Sequence, residues 1–199
     1  GSLTTATGST INTTAGSNIL GGTLNNAGQI NLNSAGNLTN FIAGSGGLTL
    51  SGGGEIQLSG HTNNRIYGVS GTTTFSSGFL APSAGGLTFN SSLTLNSSTT
   101  VQIELAGTST STGYGNLTAN SITVAGNLQV RFGSRFQNTI ANADVFTFLT
   151  ATATKSGTFA NATSGTQFWT TDGLGSFDVT YNSLSVTLSN FQPVPEPGT

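Results

Sequence analysis

The sequence predicts an all-β fold in which short strands stack as a parallel β-helix, and three observations carry that reading. Apolar and polar residues alternate at period two in Leu87-Thr88-Phe89, Leu93-Thr94-Leu95 and Val101-Gln102-Ile103-Glu104-Leu105, which gives each strand a dry face and a wet face. The stretches are separated by Asn/Ser/Thr turns too short to hold a crossover helix, so the chain must bend round corners or fold back. Similar phrases return at irregular intervals, Ala-Gly-Asn-Leu at 35–38 and 125–128 and Gly-Gly-Leu-Thr at 46–49 and 85–88, as in a solenoid whose coils vary in length. The alternative is a β-sandwich. Sandwiches generally use strands of about 5–8 residues and hairpin dipeptides, whereas Asp172-Gly173 is the only Asn-Gly or Asp-Gly in the chain.

In chain order, residues 1–12 are Thr-rich and β-prone, a segment suited to adding a strand to the open end of a neighbour, with Leu3, Thr5 and Ile11 as its pairing residues. Residues 13–130 read as the coils. Their strands include Thr23-Leu24, Gln29–Leu32, Leu48–Leu50 and Glu55–Leu58, divided by Gly21-Gly22, Ala35-Gly36, Gly44–Gly47 and Ser51–Gly54. Asn and Thr at equivalent corners of stacked coils can satisfy one another in ladders. From 131 to 191 the texture changes: eight of the 12 Phe and the single Trp fall there, and a solenoid that must stop needs large side chains over its last coil. Leu184–Leu188 is the last clear strand. Residues 192–199, Gln-Pro-Val-Pro-Glu-Pro-Gly-Thr, are proline-rich and predict an extended arm.

Length and charge bound the function. The 199 residues suit one domain, and 5% charged residues with a net charge of −2 provide no basic patch for phosphates, so no nucleic-acid partner is expected. The recurrence of Phe, Ile, Val and Leu at strand spacing argues against disorder. Without cysteine there is no disulfide framework, thiol catalysis or thiolate metal site. No apolar run approaches the roughly 20 residues of a membrane-spanning helix, so the chain is expected to be soluble.

No catalytic, cofactor or metal site is expected. The lone His61 lies in a loop without a nucleophile motif. The six acids, Glu55, Glu104, Asp144, Asp172, Asp178 and Glu196, are scattered singly, whereas glycoside hydrolysis needs two carboxylates flanking one bond. Arg131-Phe132-Gly133-Ser134-Arg135-Phe136 reads as arginines turned outward on a strand whose rings turn inward. Asn-x-Ser/Thr triplets, Asn161 among them, occur at the number that chance allows in so Asn- and Ser/Thr-rich a chain.

Val194-Pro195-Glu196-Pro197-Gly198-Thr199 resembles the start of a PEP-CTERM sorting signal, whose Val-Pro-Glu-Pro box precedes an apolar helix and a basic run; only the box matches here. The resemblance implies a bacterial protein exported to the cell surface or beyond, processed by an exosortase, and belonging to a surface layer or biofilm matrix. The order of Gly78-Phe79-Leu80-Ala81-Pro82, Ser121–Leu128, Phe146–Leu149 and Ser156–Phe159 is similar to the C-terminal part of autotransporter passenger domains, which implies a right-handed parallel β-helix with an aromatic-rich end. Together these lead to the expectation of an extracellular structural protein that self-assembles head-to-tail into filaments through open β-edges. The alternative is a monomeric surface adhesin or polysaccharide-binding module, which would expose an aromatic cluster around Tyr114 or Trp169.

Overall fold

The structure, a computed structural model, describes residues 2–58, 64–68, 72–76, 78–82 and 86–194. His61 and the box residues Pro195, Glu196 and Pro197 lie outside the described residues. The described chain is all-β, with a single 3-10 turn at Phe136–Asn138.

Strands β1 to β17 are numbered along the chain and fall into two sheets. The first sheet takes, in spatial order, β1 (Ser2–Thr5), β3 (Gly16–Asn26), β5 (Thr39–Ser51), β8 (Thr73–Phe75), β10 (Leu87–Leu95), β12 (Leu117–Val124) and β14 (Phe146–Gly157). It continues through β17 (Ser185–Pro193), β16 (Gly175–Tyr181) and β15 (Gln167–Trp169), with β7 (Asn64–Gly68) also paired to β5. The second sheet runs β2 (Thr10–Thr13), β4 (Gln29–Leu32), β6 (Glu55–Leu58), β9 (Gly78–Ala81), β11 (Thr99–Leu105) and β13 (Asn127–Phe132). Every pairing from β1 to β14 is parallel, which separates the fold from an antiparallel sandwich.

The register explains the alternation seen in the sequence. Ile11, Ile30, Ile56, Leu80, Val101 and Leu128 occupy one line across the second sheet, and Leu3, Leu24, Leu50, Phe75 and Leu95 one line across the first. Side chains turned inward from the two sheets form a continuous core. Full burial of each aliphatic side chain stabilises by about 1.5–3 kcal/mol. On the outer face polar partners bond within the strands, not at the corners where ladders were expected: Asn31 Nδ2 donates to Asn12 Oδ1 at 2.9 Å, Gln102 Nε2 to Gln129 Oε1 at 3.0 Å.

Three features differ from the expectation. Strands separated in the sequence reading are continuous: Gly44–Gly47 lies inside β5, and Leu87–Leu95 is one strand with a register shift between Phe89 and Ser92. A bulge bends a strand without ending its pairing, so a glycine run marks a corner here and not a break. The final strands β14, β17, β16 and β15 pair antiparallel, with Asp172-Gly173 in the β15–β16 turn. The last strand also carries on through Pro193, opposite Gly175. Proline is tolerated there because the Gly175 carbonyl already accepts from the Thr170 N–H at 2.9 Å and its hydroxyl at 3.0 Å.

Glycine at the corner before the second sheet has a steric reason. A Cβ on Gly54 would meet the Gly28 carbonyl oxygen, one on Gly28 the Ser9 carbonyl oxygen, and one on Gly78 the Gly54 carbonyl oxygen at 2.6 Å. Each layer therefore rests its corner directly on the backbone of the layer before.

Candidate assembly edges

The residues anticipated for strand exchange form the first layer of their own chain. Thr5 is turned inward, its hydroxyl donating to Asn26 Oδ1 at 2.6 Å and accepting from the Ala27 N–H at 3.1 Å. Asn26 passes the contact on, its amide donating to the Glu55 carbonyl at 3.0 Å. Leu3 and Ile11 stand at the ends of the two apolar lines, and among the described residues no strand pairs beyond them. Leu3 is 48% exposed against 2% for Leu24 below it, and Ile11 38% against 2% for Ile30.

The backbone is open at the same place. The carbonyls of Ser9 and Thr13 accept from the N–H groups of Gln29 and Asn33 at 2.9 and 2.8 Å, so the alternate residues Thr10 and Asn12 turn their peptide groups away from β4. Those groups have no partner among the described residues. Residues 1–54 contain no charged side chain, so this edge lacks the lysines and inward charges that normally discourage edge pairing.

The far end of the second sheet is the opposite case. The peptide groups of Leu128, Val130 and Phe132 on β13, and of Gly126 just before it, face away from β11, and a strap between β14 and β16 bonds five of their donors and acceptors. The Ala160 N–H donates to the Gly126 carbonyl at 2.7 Å and the Thr171 N–H to the Val130 carbonyl at 2.7 Å. The Asn161 side chain binds Leu128 twice, Oδ1 accepting from its N–H at 2.8 Å and Nδ2 donating to its carbonyl at 2.9 Å. Asp172 Oδ2 accepts from the Phe132 N–H at 2.7 Å. Nothing local in the sequence marks these groups; only the Asp172-Gly173 turn is legible.

The strap is held from below. Phe159 stacks on Phe148 with ring centroids 6.2 Å apart. The Tyr181 hydroxyl donates to the Ala162 carbonyl at 2.7 Å and accepts from the Phe159 N–H at 3.0 Å. Burial pushes the Tyr181 phenol above its ordinary 10.0, partly offset by the Phe159 N–H, and burial raises Tyr114 likewise. A raised folded value means that the stability carried by the neutral phenols is complete below the unfolded value of about 10 and is lost as pH rises through the folded value. Circular dichroism and phenolate absorbance, followed together through an alkaline titration, should therefore show unfolding and tyrosine ionisation as one coupled step. Ionisation of every tyrosine with the β-sheet signal intact would contradict it.

The described carboxylates each have a local partner. Glu55 accepts from Gln29 Nε2 at 2.9 Å, Glu104 pairs with Arg131 at 2.9 Å, Asp144 accepts from the Ala141 N–H at 2.9 Å, and Asp178 from Asn190 Nδ2 at 2.8 Å. The register line of Glu55 passes through Phe79 to Thr100, not to Glu104, so these two acids are not stacked. Among the described residues no group of three His, Cys, Asp or Glu could hold a metal. Phe132 turns inward against Phe177 and Phe191, as its pattern predicted. Tyr114 is buried at 2% exposure, not part of a surface cluster, whereas Trp169 is 55% exposed. Val194, the first residue of the Val-Pro-Glu-Pro stretch, is tied to the fold by its N–H donating to the Leu174 carbonyl at 3.3 Å.

No protein-family model matches the chain, and no curated protein matches it.

Proposed function

We propose that the chain is an exported bacterial structural protein, a right-handed parallel β-solenoid that self-assembles into extracellular filaments or surface matrix through its open β-edge. The solenoid reading is supported by strands that, apart from β7 and β8 in the first sheet, alternate between two sheets while pairing in parallel, right-handed being the usual hand of parallel crossovers. Export to the surface and exosortase processing rest on the resemblance of Val194–Pro197 to the sorting box. The observation that carries self-assembly is the uncovered N-terminal edge, where Leu3 and Ile11 end the apolar lines and Thr10 and Asn12 offer unpaired peptide groups. A second copy bringing a strand there would satisfy both at once. A glycan-binding module is the second reading, with Trp169 as the exposed ring it would use.

Ile11→Lys tests the first. A charge at the end of the stack should weaken self-association of the purified chain at least tenfold, about 1.4 kcal/mol, in sedimentation equilibrium and electron microscopy. An unaltered association constant would overturn it.

A further inference from the structure

We propose that Ala160-Asn161 and Thr171-Asp172 are a built-in edge seal, an autoinhibitory contact that keeps a second copy from docking head-to-tail on β13. The inference rests on assembly through open edges and adds which end is closed and what closes it. Asn161 is the central element. Its primary amide presents one acceptor and one donor to a single residue, Leu128, at 2.8 and 2.9 Å, filling with one side chain the two bonds that two alternate residues of an added parallel strand would make. Ala160 and Thr171 supply backbone donors on either side, and the Asp172 carboxylate takes the Phe132 N–H.

An incoming β2 would compete for all of these groups. The outer line Asn12, Asn31, Gln57, Ala81 and the pair Gln102, Gln129 show which residues would meet: continuing that register sets Asn12 of the incoming copy over Gln129. The seal therefore makes the two ends of the molecule unequal. One end is an uncharged open edge; the other is an edge of the same type on which the chain's own side chains and backbone already occupy five groups. Asn161, Thr171 and Asp172 are exposed, so the strap closes the edge from the solvent side and can be released without dismantling the core beneath it.

The absence of cysteine makes a clean test. Asn12→Cys and Gln129→Cys are introduced together, once in the otherwise native chain and once with Asn161→Val and Asp172→Ala, and intermolecular disulfides are read on non-reducing gels after mild oxidation. The seal predicts at least tenfold more cross-linked multimer when both side chains are removed. Equal cross-linking in the sealed chain overturns the seal while leaving assembly standing. No cross-linking in either, with native circular dichroism in the released variant, also overturns it, because removing the bonds then exposes nothing. Should the released variant not fold, amide exchange in the native chain decides: the N–H groups of Leu128 and Phe132 should exchange at least a hundredfold more slowly than those of Thr10 and Asn12 at the other edge. Equal rates would sink the proposal.

Discussion

Phe146→Ala should lower the stability of the folded chain by about 3–5 kcal/mol, the range for removing a buried aromatic side chain without collapse of the site. Phe146 has no exposed surface and touches three rings edge-on: Tyr114 at 5.4 Å, Phe177 at 5.9 Å and Phe136 at 6.0 Å. Such pairs add about 0.5–1.5 kcal/mol each beyond the area they bury. These partners come from different parts of the C-terminal region, the loop after β11, the 3-10 turn and β16, so no single segment can shift to fill the cavity without losing its own contacts. Phe177 passes the packing on to Phe132 and Phe191 at 6.0 and 5.0 Å, and Phe132 is the residue whose N–H meets Asp172. The variant should therefore also raise amide exchange at Phe132. Urea denaturation followed by circular dichroism measures the first effect, with Phe79→Ala, on a 41% exposed ring, as the comparison expected to fall near 0.5 kcal/mol. Equal losses for the two variants would show that the cluster is not the keystone of this end.

How far the fold can be read from the residues depends on whether the determining contact is local. Val101-Gln102-Ile103-Glu104-Leu105 shows its two faces because a strand's side chains alternate whatever its neighbours are, and β11 is buried at the Val, Ile and Leu and half-buried between them. The inward Phe132 and the outward Arg131 follow by the same rule. Tyr114 does not. It is flanked by Gly113 and Gly115, which resembles an exposed loop, yet the glycines are there because a Cβ on Gly113 would come within 2.7 Å of the Gly107 carbonyl oxygen, and one on Gly115 would meet that of Pro82. The ring is inside because backbone packs closely around it. Asn161 is hidden for a related reason. Its triplet is one of several that chance supplies, and its partner Leu128 lies 33 residues away, so neither periodicity nor spacing distinguishes it. The antiparallel finish is intermediate: Asp172-Gly173 signals a hairpin turn, but which strands flank it is settled by the aromatic cluster.

Gly126→Ala should be of comparable severity and isolates the stacking of backbone on backbone. Gly126 has φ +79°, a conformation that costs an L-residue about 1–2 kcal/mol. An added Cβ would fall against the Thr99 carbonyl oxygen and within 2.7 Å of the Asn96 carbonyl oxygen. Both obstacles are main chain at the start of β11, and overpacking against groups that cannot rotate away adds about 1–3 kcal/mol. The carbonyl of Gly126 also accepts from Ala160, the first bond of the seal, so displacing this corner moves the edge that Asn161 covers. Gly173→Ala supplies the control: its φ is +70° but a Cβ there meets nothing within 4 Å, so only the backbone strain remains. If stacking is what demands glycine at the corners, Gly126→Ala should lose at least 1 kcal/mol more than Gly173→Ala in the same denaturation experiment. Equal losses would assign the whole requirement to the left-handed backbone. The corner column Gly28, Gly54 and Gly78 would then be explained by turn conformation only where φ is positive, and among these three that holds for Gly78 alone.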